Sequence, residues 1–392
     1  MSDVRTAVSA QPAPWLLATG DFTCLGGMDR ANHALASYLA RTNHAVHLVA
    51  HRVAPDLASS AGVHVHHVAR PGGAHLLGAP LLAHRTKQQL RALGRDGRAL
   101  MNGGNGALGV PTWIHYLHAA YEPDVAATIR TRISASAGRR YYLRRERAAL
   151  RKAPLVICNS ERTAEDVRRF YRVPESRLRV VYYGSDAVAF GPATAEERQQ
   201  AKRELGTNGR LAAVFIGALG DRRKGFDVVF DAWRRLSVDP AWDVDLLVAG
   251  EGGEAGAWSA RATQAGLSNR VKFLGLRRDV PLVLAAADVL VHPARYEAYG
   301  LGVHEAVCRG VPSIVTAIAG VTERFPPTLG SLIVSDPPRA DALATTLRAW
   351  RTGADTWRAR VAPVGAALRS RSWDDMSAEI VARVEEAYAG RA

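Results

Sequence analysis

The sequence predicts an α/β protein made of two doubly wound domains that face a central cleft. Three observations carry this. The strand-like segments are short, continuous apolar runs, the pattern of strands buried on both faces of a parallel sheet. They alternate with amphipathic stretches, which implies right-handed βαβ units. The alternation runs once, pauses at a polar stretch near residues 185–210, and runs again. A chain of 392 residues, 47% hydrophobic and 22% charged, is long enough for two full cores.

Strands are expected at 15–19, 45–51, 63–68, 98–102, 112–118, 155–160 and 178–184, with helices such as 28–42 and 161–172 between them. Ser160 is a plausible N-cap for the second of these helices. A polar helix-like stretch at 193–205 precedes the second series. Its strands are expected at 211–219, 243–250, 270–275, 288–294, 312–317 and 331–335, and its helices at 226–237, 255–266, 301–310 and 340–350. The boundaries that follow are 1–190 for the first domain, 191–371 for the second, and 372–392 for a C-terminal helix packing back on the first. In open parallel sheets ligands bind at the carboxyl ends of strands, where strand order reverses, so motifs at strand ends bear the functional reading.

Charge is uneven. Residues 1–186 carry 25 Lys+Arg against 13 Asp+Glu, while the remainder is nearly balanced, in a chain of net charge +14. The densest stretch runs from Arg130 to Lys152, with nine basic residues and only Glu146 against them. It suits an anionic surface such as phospholipid head groups or a polyprenyl phosphate, with a solvated arginine-rich face as the plainer alternative. No helix-turn-helix or RRM-like aromatic motif speaks for nucleic acid. Three scattered cysteines make no disulfide framework. No secretory signal pattern and no membrane-spanning apolar run stand out. The expectation is a cytoplasmic protein, peripheral at the inner face of the membrane.

After the first strand, "TGDFTCLGGMDRAN" places Gly26 and Gly27 before a helix start, where bare N–H groups could approach a phosphate, although a turn requiring glycine reads equally well. In "FIGALGDRRKGFD", Arg222, Arg223 and Lys224 stand directly before a helix, a poor place for cations unless an anion such as a diphosphate docks there. His115 and His118 lie near a strand end in "PTWIHYLHAAYEPD", with His118 nearer the expected terminus; either is a cleft residue or a packed ring. Asp243 and Asp245 resemble a metal-binding pair but begin a strand, at the wrong end for a ligand, and no other cluster has metal-ligand spacing. In "RYEAYGLGVHEAV", Glu297 falls in a loop with Tyr299, Gly300 and Gly302, and Glu305 about one to one and a half turns into a helix. A loop carboxylate there would accept hydrogen bonds from sugar hydroxyls and a helix carboxylate from a ribose, while backbone N–H groups near Gly300 to Gly302 take phosphates.

Together these motifs resemble the retaining glycosyltransferases of family 4, with the two-Rossmann GT-B fold. Glu297 and Glu305 match the family's E-x7-E signature, and "CRGVPSIVTAIAGVTERF" resembles the segment that follows it, ending here at Glu323. The resemblance implies transfer of a sugar from a UDP-, GDP- or ADP-sugar to a saccharide or lipid-linked acceptor hydroxyl, with retention, no metal, and no cofactor beyond the sugar nucleotide. It implies that Lys224, Glu297 and His118 serve catalysis. Lys224, Arg222, Arg223, Gly27, Gly300, Leu301 and Gly302 would hold the diphosphate. Glu305 would hold the ribose; Glu297, Tyr299 and His118 the sugar; Leu276 and Arg277 the base. One departure is Ala218, where the family usually has arginine; Arg222 or Arg223 would have to supply that charge. The rival readings are a phosphorylase of similar fold and a non-catalytic sugar-nucleotide or membrane-surface binding protein.

Overall fold

The computed structural model describes residues 12–122, 129–207, 209–220 and 222–390. Side chains of 129–137, including Arg130 at the start of the basic stretch, lie outside the described residues, as does most of the N-terminal segment read for a signal. The first sheet contains β1 (Trp15–Ala18), β2 (Val46–Ala50), β3 (Val63–His67), β4 (Arg98–Asn102), β5 (Thr112–Ile114), β6 (Val156–Cys158) and β7 (Leu178–Val180). Its order is β3-β2-β1-β4-β5-β6-β7, with every pair parallel. The second contains β8 (Leu211–Ile216), β9 (Val244–Ala249), β10 (Val271–Gly275), β11 (Val289–His292), β12 (Ser313–Thr316) and β13 (Ile333–Val334), in the order β10-β9-β8-β11-β12-β13, again parallel. Strand order therefore reverses between β1 and β4 and between β8 and β11, which fixes the two places where a ligand crevice opens.

Helices pack on these sheets: α1 (Gly27–Arg41), α2 (His75–Leu93), α3 (Ile129–Lys152), α4 (Glu161–Tyr171), α5 (Ala195–Glu204), α6 (Phe226–Leu236), α7 (Ala255–Gln264), α8 (Val280–Ala286), α9 (Leu301–Cys308), α10 (Ala340–Thr352), α11 (Ala354–Arg369) and α12 (Trp373–Ala389). Helix α6 shows why sequence and packing agree: Phe226, Val229, Phe230, Trp233 and Leu236 recur at helical spacing and all are buried. Strands β8 and β9 are buried along nearly their whole length, as continuous apolar runs require. Among the described residues no helix is long and apolar enough to cross a membrane.

The chain passes between the sheets twice, side by side. Ser185 pairs with Ser372 in an isolated bridge. A Cβ on Gly184 would stand 2.2 Å from the Ser372 carbonyl oxygen, so only glycine fits this crossing. Helix α12 starts there with a capping box between Ser372 and Asp375. It then lies against the first sheet's side of the molecule. The Tyr388 hydroxyl accepts from the Ala99 amide at 3.0 Å, and Arg98 donates to Glu385 at 2.7 Å.

Candidate active site between the two sheets

The second sheet's switch point gathers a charged cluster. After β8 the chain makes one tight helical turn, Arg222–Lys224, then Gly225 with φ 75°. A Cβ on Gly225 would sit 1.9 Å from the Pro293 carbonyl oxygen, so this turn lies backbone against backbone on the exit of β11. That contact brings Lys224 to the residues following β11. Lys224 Nζ donates to Glu297 Oε2, and His292 Nε2 lies 3.1 Å from the same oxygen. Burial would raise the Glu297 pKa, but Lys224, His292 and Arg223 outweigh it and hold the carboxyl below the usual carboxylate range. Burial lowers the His292 pKa, so this ring is neutral near pH 7 and donates to the carboxylate. Glu297 is thus a fixed anion and hydrogen-bond acceptor, unsuited to giving up a proton.

The two arginines part company. The Arg223 guanidinium lies over the Tyr116 ring of the first domain, 5.7 Å from its centroid, so it reaches across the cleft. Arg222 instead lines a separate recess with Asp227, Phe230 and Trp258. The structure therefore puts Arg223, and not Arg222, beside the Lys224–Glu297 pair. Asp243 and Asp245 are committed to structural ion pairs, Asp243 to Arg351 at 2.6 Å and Asp245 to Arg210 at 3.0 Å.

Helix α9 begins at the same place. Gly300 caps it with φ 101°, and a Cβ there would be 3.2 Å from Val321. Leu301 packs against Gly27 at the start of α1, where an added Cβ would be 3.2 Å from the leucine Cδ2. The N-termini of one helix from each domain thus converge, while the space around the Gly302 Cβ position is open. Glu305, one turn further on, is buried and paired with Arg30 of α1. Burial dominates Arg30 here, and the Glu305 pKa is raised to about 7.

Tyr299 requires a correction. Its ring is enclosed against Tyr183, and its hydroxyl bonds His304 Nδ1 at 2.7 Å. His304 Nε2 is bonded in turn to Ser185 Oγ at 2.5 Å. Tyr299 belongs to the packed joint between domains and presents nothing to a sugar. Leu276 and Arg277 follow β10 in an exposed turn, where Arg277 donates to Asp279 at 2.8 Å.

On the first domain, His118 faces a cavity of about 390 Å³ whose lining includes Thr19, Asn102, His115, Tyr116 and Tyr142. Its ring stacks on Tyr142 with centroids 5.0 Å apart. Its amide and Nδ1 meet Glu146 Oε1 at 2.9 and 3.1 Å. Glu146 is fully buried and also accepts from the Ala119 amide and the Tyr171 hydroxyl. The lone acid of the basic helix therefore fixes the position of His118. His115 is a packed ring, stacked on Tyr183, and burial pushes its pKa down to about 3.

Glu146, His292 and Arg30 are absent from the sequence expectation. Only Glu146 carried a signal, as a single carboxylate among cations. The rest of that helix is basic on its outer side: Arg139, Arg140, Arg144 and Arg147 surround a recess with Phe170 and Tyr171.

Glu323, where the segment following the E-x7-E pair ends, works across the domains. It accepts from the amides of Glu161 and Arg162 at 2.9 and 2.6 Å, capping α4 of the first domain from the second, and from the Tyr182 hydroxyl at 3.1 Å. Losing a cap of this kind costs about 1 kcal/mol. Glu323→Ala is expected to lower the thermal midpoint by a few degrees; an unchanged midpoint in calorimetry would mean that water replaces the carboxylate at no cost.

A family model described as "Glycosyl transferases group 1" matches residues 210–350, and one described as "Glycosyltransferase Family 4" matches residues 25–188. A D-inositol 3-phosphate glycosyltransferase from Corynebacterium urealyticum is 31% identical over 251 residues, covering 60% of this chain and 57% of that protein. The matched part of the chain thus spans just over half the length of this relative. Among solved structures, sucrose-phosphate synthase from Thermosynechococcus elongatus superposes with TM-score 0.75 at 19% identity, over 96% of this chain and 99% of that one. The Anabaena Alr3699/HepE protein in complex with UDP-glucose gives TM-score 0.69 at 20% identity, over 95% and 99%. With one family match on each sheet and a fold shared along almost the whole chain, the protein belongs to the family 4 glycosyltransferases of GT-B fold.

Proposed function

We propose that the protein transfers a glycosyl group from a nucleotide sugar to an acceptor hydroxyl with retention of anomeric configuration, in the assembly of a polysaccharide, glycolipid or other glycoconjugate. The observation that carries this is the Lys224–Glu297–His292 cluster at the second sheet's switch point, with Arg223 reaching from it toward the first domain's cavity. The donor diphosphate lies between Lys224, Arg223 and the N-terminus of α9 at Gly300–Gly302. These groups meet the negative charge that grows on the leaving phosphate. Glu297, held anionic, accepts from the donor sugar's hydroxyls, and His118 meets the sugar from the other side. Glu305 accepts from the ribose, and the turn at Leu276 and Arg277 faces the base. The departing phosphate takes the acceptor's proton, so neither glutamate acts as a general acid or base. No metal or other cofactor takes part. Closure of the domains excludes water and suppresses hydrolysis. The exposed arginines of α3 hold the enzyme against the anionic inner face of the membrane, on the cytoplasmic side.

The test is a thermal-shift screen with UDP-, GDP- and ADP-sugars. A donor at about 100 times its Kd stabilises the fold by about 2.7 kcal/mol. The expected result is a clear upward shift with one nucleotide class and, with that donor, a product of unchanged anomeric configuration by NMR. Failure of all three classes to shift the midpoint would refute the reading. Product formed from inorganic phosphate without nucleotide would make the protein a phosphorylase.

A further inference from the structure

Four arginines of α3, Arg139, Arg140, Arg144 and Arg147, fall on one side of the helix and surround a single recess of about 380 Å³. No carboxylate is among its described lining residues, and among the described residues none of the four guanidiniums has an ion-pair or hydrogen-bond partner. Arg145 shows the contrast. It turns inward and donates to the carbonyls of Gly104 at 3.1 Å and Asn105 at 2.6 Å. Like charges four positions apart, as at Arg140 and Arg144, oppose helix formation. The cluster therefore stands at a cost that no described side chain offsets.

A merely solvated basic face would leave every polar atom in water. Here the Arg139 Nε is buried and has no hydrogen-bond partner, a costly state for a donor. The recess also has apolar and aromatic walls, formed by Leu143, Phe170 and Tyr171. Its inner side is the back of the anchor that holds His118. The Tyr171 hydroxyl and the Ala119 amide, both from residues that line the recess, donate to one oxygen of Glu146, and the other oxygen accepts from the His118 amide. An occupant of the recess rests against the framework of the cleft, one residue from His118.

We propose that this recess binds a phosphate group carrying two negative charges, a monoester or a diphosphate. Guanidinium forks pair with phosphate oxygens two at a time, and four of them outnumber the single charge of a phosphodiester. A monoester offers three terminal oxygens and close to two charges at neutral pH, so it engages more of the cluster at once. The proposal rests on the reading of α3 as a helix that faces anions. It narrows that reading from a diffuse attraction to a surface into one site with a preferred head group.

The test is flotation with phosphatidylcholine vesicles that contain either phosphatidic acid, a monoester, or phosphatidylglycerol, a diester, matched in surface potential. The protein is expected to bind the phosphatidic acid vesicles about tenfold more tightly. Arg140→Gln/Arg144→Gln, at two exposed positions, should abolish that preference and leave the nucleotide-sugar Kd unchanged. Arg144→Lys keeps the charge and loses the fork; it should retain the phosphatidylglycerol affinity and lose most of the preference. Inorganic pyrophosphate separates a soluble ligand from a lipid head group. It is titrated by calorimetry into Lys224→Ala, which weakens the diphosphate site of the other domain, and its Kd should rise about tenfold when Arg140→Gln/Arg144→Gln is added. Equal affinity for the two kinds of vesicle would overturn the site and leave the membrane contact of α3 standing. A preference that survives the double variant would overturn the site as well. Pyrophosphate binding that depends on these arginines, in a protein that floats with neither vesicle, would keep the site, assign it to a soluble phosphate and overturn the membrane contact. Binding of neither probe would overturn both.

Discussion

Replacing Lys224 with alanine is expected to lower kcat by about 10²- to 10³-fold, the loss typical when one preorganised group facing a developing charge is removed. The reason lies in where its turn is packed. Gly225 sits against the Pro293 backbone, so the Lys224 stem cannot drift away from the exit of β11. The ammonium is therefore in place before a donor arrives. Because leaving-group charge is largest in the transition state, kcat and kcat/KM should fall together while donor affinity changes less. The substitution also removes the first of the charges that hold Glu297 ionised. Burial then acts with less opposition, and the Glu297 pKa should rise. The wild-type carboxyl is held low, so its contribution to stability is present above the unfolded value and is lost only in strong acid. Only a rise past the unfolded value would reverse the sign, so that stability falls as pH rises through the new pKa. Lys224→Arg keeps the charge in a broader fork and should fall between the two. Near-normal turnover in Lys224→Ala would remove this residue from the diphosphate site.

The two halves of the cleft divide the work by charge. The second domain offers a fixed cluster of cations around one anion, suited to a diphosphate and a sugar. The first offers histidine and aromatic rings, suited to an acceptor. They meet at close range at several points, among them Gly27 on Leu301, Arg30 on Glu305, Tyr183 on Tyr299, Glu323 on the start of α4, and Ser160 on the Ala298 carbonyl. Because several of these contacts engage backbone atoms directly, small rotations of one domain would disturb both sides of the cleft together.

Much of this architecture is legible in the sequence because parallel strands advertise themselves as apolar runs. Strand ends are less legible. The run at 112–118 forms a strand only over Thr112–Ile114, since His115 leaves the ladder to bond Tyr183. Helix α2 has no clean apolar stripe; it contains Gly78 and Pro80 and buries few side chains. The placement of Lys224, Glu297 and Glu305 beside strand ends is readable from spacing. Their partners are not, because Arg30 and Glu305 lie 275 positions apart and Lys224 and Glu297 lie 73 apart. Tyr299 misled for the opposite reason. It is adjacent in sequence to Gly300, the cap of α9, yet at a helix entry one step along the chain turns a side chain toward the core.

The Glu305–Arg30 pair should make both stability and donor affinity depend on pH near neutrality. The Glu305 pKa is raised to about 7 from an ordinary value of 4.5, with burial outweighing Arg30. A raised carboxyl favours the folded state in its protonated form. Its contribution is fully present below the unfolded pKa and is lost as pH rises through the folded one, a swing of about 3 kcal/mol at 1.36 kcal/mol per unit. Asp29 has a pKa also raised to about 7, so the wild-type curve alone cannot isolate Glu305. The difference between Glu305→Gln and wild type can, because Asp29 is common to both. The glutamine variant is expected to match wild type near pH 5 and to become the more stable protein by pH 8. The opposite trend would show that Arg30 outweighs burial. Nucleotide binding should run the other way. A ribose hydroxyl donates best to an ionised carboxylate, so wild-type affinity for a nucleotide sugar, whose diphosphate diester does not titrate in this range, should climb as pH crosses about 7. In Glu305→Gln that affinity should be lower and flat with pH. Equal affinities at pH 8, read by calorimetry, would return Glu305 to a purely structural role as the tether between α9 and α1. A gain in stability coupled to a loss in affinity would mark it as a buried charge kept at a cost for the ligand it holds.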